Sequence, residues 1–126
     1  MSSETGLING NLKPCPSSPN CVSTQAEDDQ HRIQPYRYRR DRALAIDALK
    51  QAVGSMRGAR LAEEHDSYLR FEFTSRWFRF VDDVEFLFDD RTHTVQFRSA
   101  SRTGYSDLGV NRKRMEDIRG KVEGLL

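Results

Sequence analysis

With 126 residues, 37% of them hydrophobic and 31% charged, the chain has room for one compact domain with a thin core and a wide polar surface. A net charge of +1 excludes a general polyanion binder, while leaving room for a local basic patch. No apolar run approaches the roughly 18 residues of a membrane-spanning helix. MSSETGLINGNLK lacks the basic-then-apolar pattern of a secretion signal, so the expected setting is cytoplasmic, with no membrane span.

Residues 1–11 are small and polar and read as a flexible N-terminal tail, followed by a single domain over 12–126. The domain opens on LKPCPSSPNCVS, in which Pro14, Pro16 and Pro19 fix the backbone of an ordered, irregular loop. Cys15 and Cys21 are near enough to form a disulfide or remain a pair of packed thiols. In a reducing setting two free thiols are expected. Two cysteines do not complete a zinc site, and His31, His65 and His93 have no metal-motif spacing, so no metal and no cofactor is expected.

Ile33–Tyr38 reads as a short edge strand, with Pro35 excluding a central position. Asp41 is a good N-cap for a helix over 42–56, whose Leu44, Ala45, Ala48, Leu49, Ala52, Val53 and Met56 recur at helical spacing. A weak strand at 60–64 leads to a turn at Asp66-Ser67. Three alternating runs follow, around Leu69/Phe71/Phe73, Val84/Phe86/Phe88 and Val95/Phe97. They predict an antiparallel meander whose opposite, wet face carries Arg70, Glu72, Glu85 and Arg98 as cross-strand pairs. Trp77 and Phe78, beside these strands, are expected in the core. A last helix starts between Leu108 and Arg112 and buries Met115, Ile118, Val122 and Leu125. The fold class is therefore α+β: an antiparallel sheet of four or five strands with two helices on one face.

Chemistry concentrates in SRWFRFVDDVE and in RSASRTGYSDLGVNRKR, the connection from the last strand to the last helix. Adjacent Asp82 and Asp83 point to opposite faces of a strand, so they do not form a catalytic pair; one of them is expected to hold Arg76, Arg102 or Arg112. The candidate ligand-binding residues are Arg76, Asp82, Asp83, Arg98, Ser101, Arg102, Tyr105, Asp107, Asn111 and Arg112. Arginines would meet an anion while carboxylates hold them in place. No GxGxxG, GxxxxGK[ST] or GxSxG motif occurs, and no catalytic residue is assigned. Arg112-Lys113-Arg114 is interrupted by Glu116 and Asp117 and reads as a solvated helix face, not a nucleic-acid patch.

LKPCPSSPNCVS at 12–23, SRWFRFVDDVEF at 75–86 and RSASRTGYSDLGVNRKRMEDIR at 98–119 together resemble the family known as domain of unknown function 1499. The likeness runs from about Leu12 to the C-terminus. It implies a single-domain module without an established reaction or cofactor, some of whose relatives look exported or membrane-attached. The favoured expectation is a non-enzymatic module binding a small anion, a lipid head group or a protein partner. The alternatives are a hydrolase or transferase using Asp82, Asp83 or Asp107 as general base, and an interaction domain with an apolar patch beside Leu87 or Trp77.

Overall fold

A computed structural model describes residues 4–126. Its element order is β1 (Leu7–Ile8), β2 (Asn11–Leu12), β3 (Cys21–Ser23), β4 (Tyr36–Arg37), α1 (Arg42–Gly54), β5 (Ala59–His65), β6 (Tyr68–Thr74), β7 (Val81–Asp89), β8 (Thr94–Ser101) and α2 (Val110–Val122). The alternating runs form the expected meander: β5, β6, β7 and β8 pair in sequence, all antiparallel. The sheet has six strands, more than the four or five expected, because β3 and β4 both pair with β8 along its outer side. β1 and β2 form a separate two-stranded hairpin.

Asp41 caps α1 as its residue type predicts, its carboxylate accepting from Ala43 N at 3.2 Å. The helix ends at Gly54, two residues before the expected end. In α2, Met115, Ile118 and Val122 are buried, but the chain turns after the helix and buries Leu126 in place of Leu125. Both helices cover the sheet face that carries Leu69, Phe71, Phe73, Val84, Phe86, Val95 and Phe97, which fuse with Tyr36 and Tyr38 into one core. That fixed alternation leaves Arg70, Glu72, Asp83, Glu85 and Arg98 on the opposite face.

This opposite face is not uniformly wet. Glu85 and Arg98 are 0% and 1% exposed, a correction to the solvated pairing expected of them. The cover is the N-terminal segment. Gly6 N donates to Glu85 Oε2 at 2.8 Å, and the Pro14 carbonyl accepts from Arg98 Nη2 at 3.4 Å. Cys15 and Cys21 are joined in a disulfide, in place of the two thiols expected, and this bond ties the segment to β3. β5 is the bare edge of the sheet. It carries Arg60, Glu63 and Glu64, and its register shifts between Leu61 and Glu63.

A bridge between residues six positions apart stabilises by about 2 kcal/mol through restriction of the unfolded chain. The Cys15→Ser/Cys21→Ser double variant should therefore lose about that much in urea unfolding while the meander's circular dichroism is retained.

Candidate functional site

The sheet segregates its polar chemistry into two layers, and the candidate residues divide between them. On the helix-free face the antiparallel register aligns Arg60 with Glu72 and Glu72 with Asp83. Arg70 donates from Nε to Glu63 at 2.6 Å and from Nη1 to both Glu72 and Asp83 at 3.0 Å. Arg102, just past the end of β8, donates to Glu72 at 2.8 Å and to both oxygens of Asp83 at 2.9 Å. Burial opposes the charge on Glu72, but hydrogen bonds from Arg60, Arg70 and Arg102 win and hold its carboxyl down at about 2. One register step along, Glu85 lies opposite Arg98. Burial pushes the Glu85 carboxyl up, against the hydrogen bonds it accepts from Tyr68 Oη at 2.6 Å and from Gly6 N. The Glu85–Arg98 contact is long, 3.5 Å, and Arg98 Nε has no partner among the described residues.

On the helix-covered face Asp82 meets Arg114 at 2.7 Å. Arg114 also donates to Asn111 Oδ1 at 2.8 Å and lies over the Phe73 ring, 4.8 Å from its centroid. Asn111, 0% exposed, is the hub. Its Oδ1 accepts from Ser99 at 2.6 Å, and its Nδ2 donates to Asp107 at 2.7 Å, Ser101 at 3.0 Å and the Asn20 carbonyl at 3.3 Å. Asp107 accepts from the Gly109 and Asn111 amides at 2.8 and 3.0 Å and so caps α2 from two residues before Gly109, which is left-handed at φ 81°. Burial would raise the Asp107 carboxyl, but the Asn111 amide and side chain outweigh it and hold it below the usual range. Asn20 Nδ2 reaches the Gly104 carbonyl at 2.8 Å. The three sequence motifs therefore converge here, and what they hold is the 102–109 loop.

The remaining candidates stand apart. Arg112 donates to the carbonyls of Gln30 and Arg32 at 3.0 and 2.9 Å, fastening α2 to the segment before β4. Arg76 is exposed, 4.8 Å above the Trp77 ring, and Tyr105 is 71% exposed. Arg114 was read from the sequence as part of a solvated basic run. Its i+3 offset from Asn111 marks the shared helix face that the structure shows, with Asp107 lying just before the helix. Asp82, Asp83 and Asp107, the candidate general bases, are each committed to an arginine or a helix cap. Among the described residues no group of three His, Cys, Asp or Glu side chains is arranged to hold a metal ion.

Trp77 and Phe78 are not in the core. They are 77% and 76% exposed on the β6–β7 loop, where Ser75 N donates to the Phe80 carbonyl at 2.8 Å and closes the turn. Phe78 stacks on Phe80, 59% exposed, at 5.8 Å between ring centroids, and Phe80 lines one cleft with Leu108 at 94% and Val110 at 48% exposure. The β6–β7 loop and the 102–109 loop leave the same end of the sheet, since Arg102 N donates to the Val81 carbonyl at 3.1 Å. A cleft of about 600 Å³ opens between them, floored by Phe73 and Asp82 and bounded by Arg57, Phe80, Leu108 and Lys113. Leu108 holds φ 55°, a conformation costly to a bulky side chain, while pointing into solvent.

These features define a small α+β domain whose interior polar networks serve two loops at one pole of the sheet. Residues 11–122 match the family described as "Protein of unknown function (DUF1499)", and the chain belongs to that family. No curated protein and no solved structure matches it. No helix among the described residues is long and apolar enough to cross a membrane.

Because the Glu72 carboxyl is lower in the folded chain than its ordinary 4.5, its contribution is complete above that value and lost as pH falls towards 2. The stability gap between wild type and Glu72→Gln should be widest near neutrality and shrink between pH 4.5 and 2, as read from urea midpoints. In Asn111→Ala the Ser99 and Asp107 groups lose their partner. It should cost about 2–4 kcal/mol, and proteolysis should then cut first in the 102–109 loop.

Proposed function

We propose that the domain is a non-enzymatic module that docks on an anionic lipid surface through the pole formed by the 75–80 and 102–109 loops. The observation that carries this reading is the exposure of Trp77, Phe78, Phe80, Tyr105, Leu108 and Val110 together at one end of an otherwise charged domain. Exposed apolar side chains gathered on two neighbouring loops mark an interaction site. Its composition favours lipid: amphipathic aromatics are the side chains that settle at head-group level. Arg57 and Arg76, which line the cleft, and Arg79, between Phe78 and Phe80 in the loop, have no carboxylate partner among the described residues, so their charge is available to anionic head groups. Lipid head-group oxygens would also meet the hydroxyls of Ser75, Thr103 and Ser106 at the cleft mouth. A few inserted aromatics at about 2 kcal/mol each, with about 1 kcal/mol per arginine near the surface, reach the range of micromolar association. The buried networks of Asn20, Asp82, Asp107, Asn111 and Arg114 then serve to hold the two loops rigidly side by side.

The reading is tested by flotation with phosphatidylserine-containing and pure phosphatidylcholine vesicles, without reductant so that Cys15–Cys21 stays closed. Wild type should float with the anionic vesicles only, and raised salt should weaken the association. The Trp77→Ser/Phe78→Ser variant should lose at least 30-fold in partitioning with an unchanged melting temperature, because both side chains are exposed. Wild type that ignores both vesicle types would overturn the lipid reading and assign the patch to a protein partner.

A further inference from the structure

A second cleft, of about 610 Å³, lies on the helix-free face where the N-terminal segment crosses β8. Period-two alternation along β8 sends Arg98 and Ala100 to this side, and Arg102, just past its end, joins them in the lining. Its cationic lining is Lys13, Arg98 and Arg102; Glu4 is the one carboxylate among the described residues that line it. Ile8, Pro14, Pro16 and Ala100 supply apolar walls.

Arg98 is the unusual member of this set. A guanidinium has five N–H donors, and removing it from water is costly unless they are met. This one is 1% exposed, yet among the described residues its hydrogen bonds are two long ones, 3.5 Å to Glu85 Oε1 and 3.4 Å to the Pro14 carbonyl, and its Nε has no partner there. Glu85 does not complete the set, because its other oxygen is occupied by Tyr68 Oη and Gly6 N. By contrast, Arg70 and Arg102 on the same face are tightly held by carboxylates at 2.6–3.0 Å. A buried, under-bonded guanidinium that lines a cleft together with a half-buried lysine is chemistry suited to an oxyanion.

From this we infer that the cleft beneath the N-terminal segment binds a small organic anion, with a carboxylate or phosphate head against Arg98 and Lys13 and a short apolar body against Ile8, Pro14 and Pro16. Ligand binding requires no covalent step. It supplies the acceptors Arg98 lacks and fixes the N-terminal segment on the sheet. The site is separate from the aromatic pole and does not depend on the lipid reading.

The test titrates inorganic phosphate, acetate and hexanoate into the full chain at matched ionic strength. It follows the Arg98 Nε–H resonance, assigned by its loss in Arg98→Lys. At least one anion should move that resonance saturably, at about millimolar concentration for so small a probe. The stronger of phosphate and acetate identifies the head group, and hexanoate should bind several-fold tighter than acetate if the apolar walls engage the body. Lys13→Glu, a change at the rim that leaves the core intact, should weaken binding at least fivefold, whereas Trp77→Ser/Phe78→Ser should titrate like wild type. Absence of a saturable shift with all three anions, or identical titrations of wild type and Lys13→Glu, would overturn the inference.

Discussion

Burial of Glu85 and Arg98 at the middle of the sheet is the constraint from which much of the remaining architecture follows. Each ion removed from water costs several kcal/mol before its partners are counted, so neither tolerates bare solvent exclusion. The cross-strand register places the two side by side, but at 3.5 Å they do not satisfy one another alone. The domain answers by laying residues 6–14 over them, bringing in one amide and one carbonyl, while the neighbouring strand β6 adds the Tyr68 hydroxyl. A segment that is small and polar in sequence thereby acquires a defined place. The Cys15–Cys21 bond and the proline-rich loop keep it there.

The helix-covered face follows a different logic. Its polar atoms surround Asn111, whose amide joins β8, the 102–109 loop and the Asn20 loop in one network. Such a hub contributes geometry more than affinity, since each of its bonds is matched within the protein. The chemistry left unmatched lies outward, in the aromatic side chains and lone arginines of the pole. The arginine-rich stretch is thus mostly scaffold. Arg112 and Arg114 are spent on holding α2, Arg102 on the opposite face, and the residues presented to the surroundings are Tyr105 and Leu108.

What the sequence made legible follows from periodicity. The meander and both helices were readable because runs of seven to thirteen residues repeat their pattern often enough to define a face. β1–β3, two or three residues each, offer no period, and their pairing is decided by long-range contacts with β8 or with one another, whereas β4 is the short edge strand expected within 33–38. The wet-face reading of Glu85 and Arg98 failed for the same reason, because alternation reports which face a residue takes and not what later covers it. Trp77 and Phe78 were misplaced because composition favours aromatics inside. Only the closed turn between Ser75 and Phe80 shows that they stand beyond the sheet's end. Asp82 and Asp83, by contrast, take opposite faces as strand geometry requires, and Asp83 engages Arg102 as one of the named options.

The irregular, charged edge at β5 carries a consequence for the chain at high concentration. Unpaired backbone donors and acceptors on an outer strand are a template for intermolecular growth, and charge together with a register break disfavours it. Here Arg60, Glu63 and Glu64 flank the break at Leu61/Glu63, while β3 and β4 occupy the other side of the sheet. Folded copies are therefore poor seeds for cross-β polymer, and fibril growth would have to begin by peeling a short strand from β8. A domain that displays aromatic side chains so openly at its pole can in this way remain dispersed, because its stickiness resides in side chains while its backbone offers little to extend.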